Sequence, residues 1–187
     1  MRTDEEATAP PPLWVFGYGS LIWNPEFEVA ERHIARLAGY ARRFCMWSVH
    51  HRGTPEAPGL VLALDAEAGA SCTGVALRVA PGAESETLAH LRARELVSSA
   101  YVERRLPVAF AGGGGAEAVA FVVDRAHEQY CGALAPETQA EVIARATGGR
   151  GANCDYLWST AEHLAALGIA DPDLEWLARR VRALRGV

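Results

Sequence analysis

Segments with the two-residue periodicity of strands crowd into the first two thirds of this 187-residue chain, and helical periodicity dominates the last third. Strands are predicted at about 13–18, 29–38, 42–49, 59–65 and 72–79, the last with Val75, Leu77 and Val79 at alternate positions. Residues 85–98 read as a helix, and strands at about 105–111 and 117–123 flank the run Gly112-Gly113-Gly114-Gly115, a hairpin tip. Pro136 opens a helix to about Thr147, Asn153 or Asp155 caps a second to Leu167, and Asp171-Pro172 starts a third reaching Leu184. Such segregation predicts an α+β fold, a small curled or barrel-like mixed sheet with surrounding helices. Residues 1–12, ending in three prolines, read as a flexible tail, and 13–187 as a single domain.

The first strand runs straight into Gly17-Tyr18-Gly19-Ser20-Leu21-Ile22. Two glycines one residue apart allow positive φ and let a ligand approach the chain closely, so that successive N–H groups can converge on an anion or a carbonyl oxygen. The known glycine motifs do not fit. A dinucleotide fingerprint needs a glycine where Ile22 stands, and a phosphate P-loop needs a Gly-Lys pair. A nucleophile elbow needs glycines where Tyr18 and Ile22 flank Ser20, so Ser20 reads as a ligand-binding hydroxyl and not as a nucleophile.

Composition removes further chemistries. All 18 basic residues are arginine, which excludes Schiff-base and lysine general-base catalysis. The formal net charge is −5 with scattered arginines, which argues against a nucleic-acid partner. No apolar run is long enough for a membrane span, and the acidic start lacks a signal peptide's features, so the expected place is the cytoplasm. There, Cys45, Cys72, Cys131 and Cys154 read as four reduced, buried and inert thiols. The six histidines show no ligand spacing, the adjacent His50 and His51 being expected on opposite sides of a strand, and no metal is predicted.

One carboxylate stands out. Leu88, Leu91 and Glu95 fall at i, i+3 and i+7 of the helix 85–98, so Glu95 shares the stripe that faces the core. Burial would raise its pKa toward what a general acid–base needs; the structural alternative is a Glu paired with Arg92 or Arg94. Tyr18, Tyr101 and Tyr156 are each either packing aromatics or ligand-holding hydroxyls.

The loop from Phe16 to Trp23, the run from Gly53 to Leu60, the Arg94-Glu95 pair and the block Asn153-Cys154-Asp155-Tyr156-Leu157 occur in one order. In this ordered set the chain resembles the ChaC-type γ-glutamylcyclotransferases, from about Leu13 to the C-terminus. The resemblance implies a γ-glutamylcyclotransferase-like fold and the cofactor-free splitting of glutathione into 5-oxoproline and cysteinylglycine. By the same resemblance Glu95 is the catalytic glutamate, Gly17, Tyr18, Gly19, Ser20, Leu21 and Ile22 cradle the substrate, and Tyr156 lies near it. Two departures bear on substrate fit: Arg92 and Ala93 replace an aromatic and an arginine frequent in bacterial members, and Ser99 stands where a glycine is common. The competing readings are turnover of other γ-glutamyl amino acids or γ-glutamylamines, and a non-catalytic sensor of such compounds.

Overall fold

The computed structural model describes residues 11–187; the tail expected over 1–12 lies, apart from Pro11 and Pro12, outside the described residues. Five strands close into a barrel in the order β1-β3-β2-β4-β5, from β1 (Trp14–Gly17), β2 (Val29–Ser48), β3 (Gly59–Val79), β4 (Tyr101–Phe110) and β5 (Gly115–Val123). The sheet is mixed, as expected: β1 and β3 each pair with β5 in parallel, and the remaining neighbours are antiparallel. Phe16, Leu37, Leu60, Leu64 and Leu77 fill the interior with exposures of 1% or less.

The long strands correct the sequence reading. Four predicted strands, 29–38, 42–49, 59–65 and 72–79, are two continuous ones, and the glycines in the gaps left between them, Gly39 and Gly69, sit inside the long strands. Pairing passes from Ala38↔Ser71 to Tyr40↔Ala66, and Gly39 (φ 81°) and Gly69 (φ 83°) take the left-handed conformations at this irregularity. An interruption of this kind bends a strand and raises its twist without ending it, which helps a small sheet to close. Pro107 is tolerated inside β4 because there the strand pairs with β5 alone; β2 meets it only at Ala109 and Phe110.

Helix α1 (Glu84–Glu95) stops short of the expected Ser98. Its last residue is Glu95, and the chain turns through Leu96–Ser98 into Ser99, whose φ of 56° suits a glycine better than a serine. Helices α2 (Pro136–Arg145), α3 (Asn153–Ala166) and α4 (Pro172–Arg185) pack together over one side of the barrel. Asp171 caps α4 as predicted, its side chain accepting from the Leu174 N–H at 3.1 Å.

Asn153 does not cap α3. It lies inside the first turn, fully buried, and exchanges two 2.7 Å hydrogen bonds with the N–H and C=O of Leu60 on β3. Between α2 and α3 a short hairpin, β6 (Thr147–Gly148) and β7 (Gly151–Ala152), had no sequence signal long enough to read. It is strapped to the segment after β2: the N–H groups of Gly149 and Arg150 donate to the carbonyls of His50 and His51.

Candidate active site

Beyond β1 the chain forms one turn of 3-10 helix over Ser20–Ile22, entered through Gly19. The expectation of positive φ at the two glycines is not met: neither Gly17 nor Gly19 is among the residues with positive φ. What both need is space. A Cβ on Gly17 would stand 3.2 Å from the Val75 side chain, and one on Gly19 would stand 3.2 Å from the Tyr156 hydroxyl. The carbonyl of Gly19 accepts from the Ile22 N–H, while the N–H groups of Gly19, Ser20 and Leu21 have no hydrogen-bond partner among the described residues. The start of this turn therefore presents backbone donors.

Arg42, on β2, holds the loop from beneath. Its nearly buried guanidinium donates to the carbonyls of Tyr18 and Thr73 and pairs with Asp171 at 2.7 Å, tying the loop to the start of α4. An arginine so enclosed loses its hydration and is retained where its guanidinium nitrogens find acceptors, as all three do here.

The loop opens on a cleft of about 490 Å³, within the size range of small-molecule sites. Tyr18, Gly19, Ser20, Leu21, Glu95 and Tyr156 line it together. Gly17 and Ile22, expected to cradle a ligand, do not: Gly17 belongs to β1, and Ile22 is a core residue, 2% exposed. The Tyr18 hydroxyl is already spent on the Phe121 carbonyl at 3.0 Å, and that of Tyr101 on the Leu62 carbonyl at 3.0 Å. Burial raises the pKa of both phenols well above the ordinary value, so they act as neutral walls.

Tyr156 projects from the first turns of α3 among Trp23, Phe44 and Arg52, whose guanidinium lies 5.5 Å over its ring. Burial first of all pushes its hydroxyl up to about 12, so it too stays protonated at neutral pH. Ser20 has no base hydrogen-bonded to it among the described residues. Its Oγ accepts a 2.9 Å hydrogen bond from Arg94, which cannot take a proton from it.

Glu95 is the single carboxylate among the cleft-lining residues. Burial, the largest cause, raises its pKa above the ordinary carboxyl value; Arg94 opposes the rise and Glu26 adds to it. Glu95 thus lies in the cleft and is paired with Arg94 as well, its Oε1 standing 3.1 Å from Arg94 Nε. The other candidate partner, Arg92, pairs with Glu103 instead.

Arg94 is the residue that periodicity alone could not single out. Besides Glu95 and Ser20 it donates to the Asn24 carbonyl at 2.8 Å and approaches Glu26 at 3.3 Å, so one guanidinium links α1, the glycine loop and the segment beyond it. His50 and His51 also line the cleft; they follow β2 in a bend and are not split across a strand. The cysteines take no part, standing outside the lining with their thiols free. Cys131 is only partly buried, against expectation, and burial nevertheless raises it and Cys72 to about 11 and Cys45 to about 12.

The chain is 35% identical to the glutathione-specific gamma-glutamylcyclotransferase of Escherichia coli (strain K12), over 92% of this chain and 74% of that one. It is 34% identical to the glutathione-specific gamma-glutamylcyclotransferase 1 of Homo sapiens, over 94% of this chain and 79% of that one. The crystal structure of a yeast gamma-glutamyl cyclotransferase specific to glutathione superposes with a TM-score of 0.83 at 25% identity, covering 93% of this chain and 97% of the yeast chain. The fold is thus that of the γ-glutamyl cyclotransferases. A family profile described as ChaC-like protein matches residues 13–184, and with it and these relatives in hand the chain belongs to the ChaC-like family.

Proposed function

We propose that this chain cyclises the γ-glutamyl group of glutathione, giving 5-oxoproline and cysteinylglycine, with Glu95 as general acid–base and no cofactor. Glutathione is the substrate for which these relatives are named. The observation that carries the chemistry is the partly desolvated carboxylate of Glu95, the single one lining the cleft, together with the unpartnered backbone donors of Gly19, Ser20 and Leu21.

In a γ-glutamyl amide the substrate's own α-amine can reach its γ-carbonyl and close a five-membered ring, so the nucleophile arrives already tethered. The new C–N bond forms to that carbonyl and the old C–N bond to cysteine breaks. One proton must leave the attacking amine and one must reach the departing nitrogen. Glu95 takes the first and returns the second, a task suited to a carboxyl whose pKa is raised above the ordinary value by burial. The donors of the glycine loop hold an anionic group of the substrate, and the arrangement asks nothing of Ser20 beyond shape and its contact with Arg94. The cytoplasm, where glutathione is kept reduced, is the proposed place of action.

Incubation of metal-free protein with glutathione, γ-glutamylalanine and a γ-glutamylamine in parallel, with 5-oxoproline measured by mass spectrometry, tests this reading. Release from glutathione, well ahead of the other two, is expected. Preferential turnover of either alternative would move the substrate, and binding of glutathione without any 5-oxoproline would make the chain a sensor.

A further inference from the structure

Two cations in the cleft are left over once Glu95 and the glycine loop have been assigned. Three arginines line it, Arg52, Arg94 and Arg150, and Arg94 is neutralised by Glu26 and Glu95. Arg52 and Arg150 have no carboxylate within ion-pair distance among the described residues; Asp155 acts on Arg52 only from further away. They make this cleft locally positive in a chain whose net charge is −5.

The two are not equivalent. Arg52 is half-buried over Tyr156, and its Nη1 donates to the carbonyls of Arg150 at 2.7 Å and Ala152 at 3.2 Å, clamping the β6–β7 hairpin. Arg150 sits at the tip of that hairpin, with its backbone pinned to His51 at 2.9 Å. Its own guanidinium is exposed and makes no hydrogen bond or ion pair among the described residues. A fixed backbone that carries a free guanidinium to a cleft rim makes a planar fork of donors available to a carboxylate. Its field also reaches the rest of the cleft. His51 at the rim has its pKa lowered by partial desolvation and then by Arg150, His50 and Arg52, and Arg150 acts on Glu95 as well.

Resting on the cyclisation reading, the geometry points to Arg150 as the residue that binds the second, C-terminal carboxylate of the substrate, so that the enzyme prefers γ-glutamyl peptides ending in a free carboxylate over γ-glutamylamines. The alternative route for the far half of the substrate is a neighbouring recess of about 420 Å³. That recess is lined by Glu128 beside His127 and Gln129, and a carboxylate entering it would face a like charge.

The test compares glutathione with glutathione whose glycyl carboxylate has been converted to the carboxamide, on wild type, Arg150→Gln and Arg150→Lys. It is run at a pH well above the titration of Glu95. With wild type, the amide should raise KM about tenfold or more, as loss of a charge-assisted contact does, with kcat within about threefold. Arg150→Gln should impose a similar KM penalty on glutathione but add less than about threefold on the amide, and Arg150→Lys should recover part of the loss. Equal penalties on both compounds, or none on either, would overturn the assignment while leaving the cyclisation intact. Absence of 5-oxoproline from both compounds with wild type would instead overturn the cyclisation reading, and the role of Arg150 with it.

Discussion

The hydroxyl of Tyr156 lies 3.2 Å from the point where a Cβ on Gly19 would stand. A methyl group there must push the tyrosine or the loop by a few tenths of an ångström, in a corner already filled by Leu62. Because the loop donors and Tyr156 share the cleft, Gly19→Ala should lower kcat/KM for glutathione by more than tenfold while the protein still folds. Ser20→Ala removes one contact to Arg94 and should cost roughly tenfold or less, equivalent to about 0.5–1.5 kcal/mol. Steady-state kinetics of both variants with thermal melts check this; a silent Gly19→Ala beside an inactive Ser20→Ala would restore Ser20 as a reacting group.

Glu95→Gln keeps the shape and the acceptor for Arg94 but cannot carry a proton. Turnover should fall by about 10²–10⁴-fold, with binding of a glutathione analogue retained. Calorimetric titration and single-turnover assays separate the two effects, and a variant keeping more than about a tenth of the activity would place the proton transfer elsewhere.

The same substitution should stabilise the protein in a pH-dependent way. The folded state holds the Glu95 proton more tightly than the unfolded chain does, because its pKa is raised. That contribution is fully present below the unfolded pKa and is lost as pH rises through the higher folded value. The Tm of Glu95→Gln minus that of wild type should therefore increase from acid toward neutral pH, and a difference that shrinks over this window would refute the burial of the carboxyl. In activity, the acid limb of kcat/KM should lie above the ordinary glutamate range. Arg94→Gln, which removes the cation opposing the shift, should move that limb higher still.

Asn153 was legible as a special position but not as the one it occupies. An asparagine before a helical run reads as a cap, and only the tertiary structure shows its amide turned inward to Leu60. Asn153→Ala leaves the Leu60 N–H and C=O buried without partners and should cost roughly 2–5 kcal/mol, or about 5–15 °C in Tm. Urea unfolding measures it; a loss below about 1 kcal/mol would mean that the segment rearranges.

What was readable followed from periodicity. The alternation of Val75, Leu77 and Val79, the proline at the start of α2 and the Asp171 cap each act locally, and each lies where it was expected. The merged strands were not readable, because Gly39 and Gly69 carry the same local signal in a turn as in a ladder irregularity, and only the partner strand distinguishes the two. In the site, Glu95 was visible as a carboxylate out of place on an apolar stripe. Arg94 was visible only as a possible partner of Glu95, and Arg42 and Arg150 not at all, since what sets each apart is a long-range contact or, for Arg150, the lack of one.

In the proposed reaction the substrate attacks itself while Glu95 moves the protons. This is tested most directly by running the glutathione reaction in water enriched in oxygen-18 and weighing the acidic product. Intramolecular ring closure takes no atom from solvent, so 5-oxoproline without label and an equal amount of cysteinylglycine are predicted, and Glu95→Gln should abolish both. Glutamate bearing the label would show that water had cleaved the γ-glutamyl bond, and the account given for Glu95 and the glycine loop would be wrong.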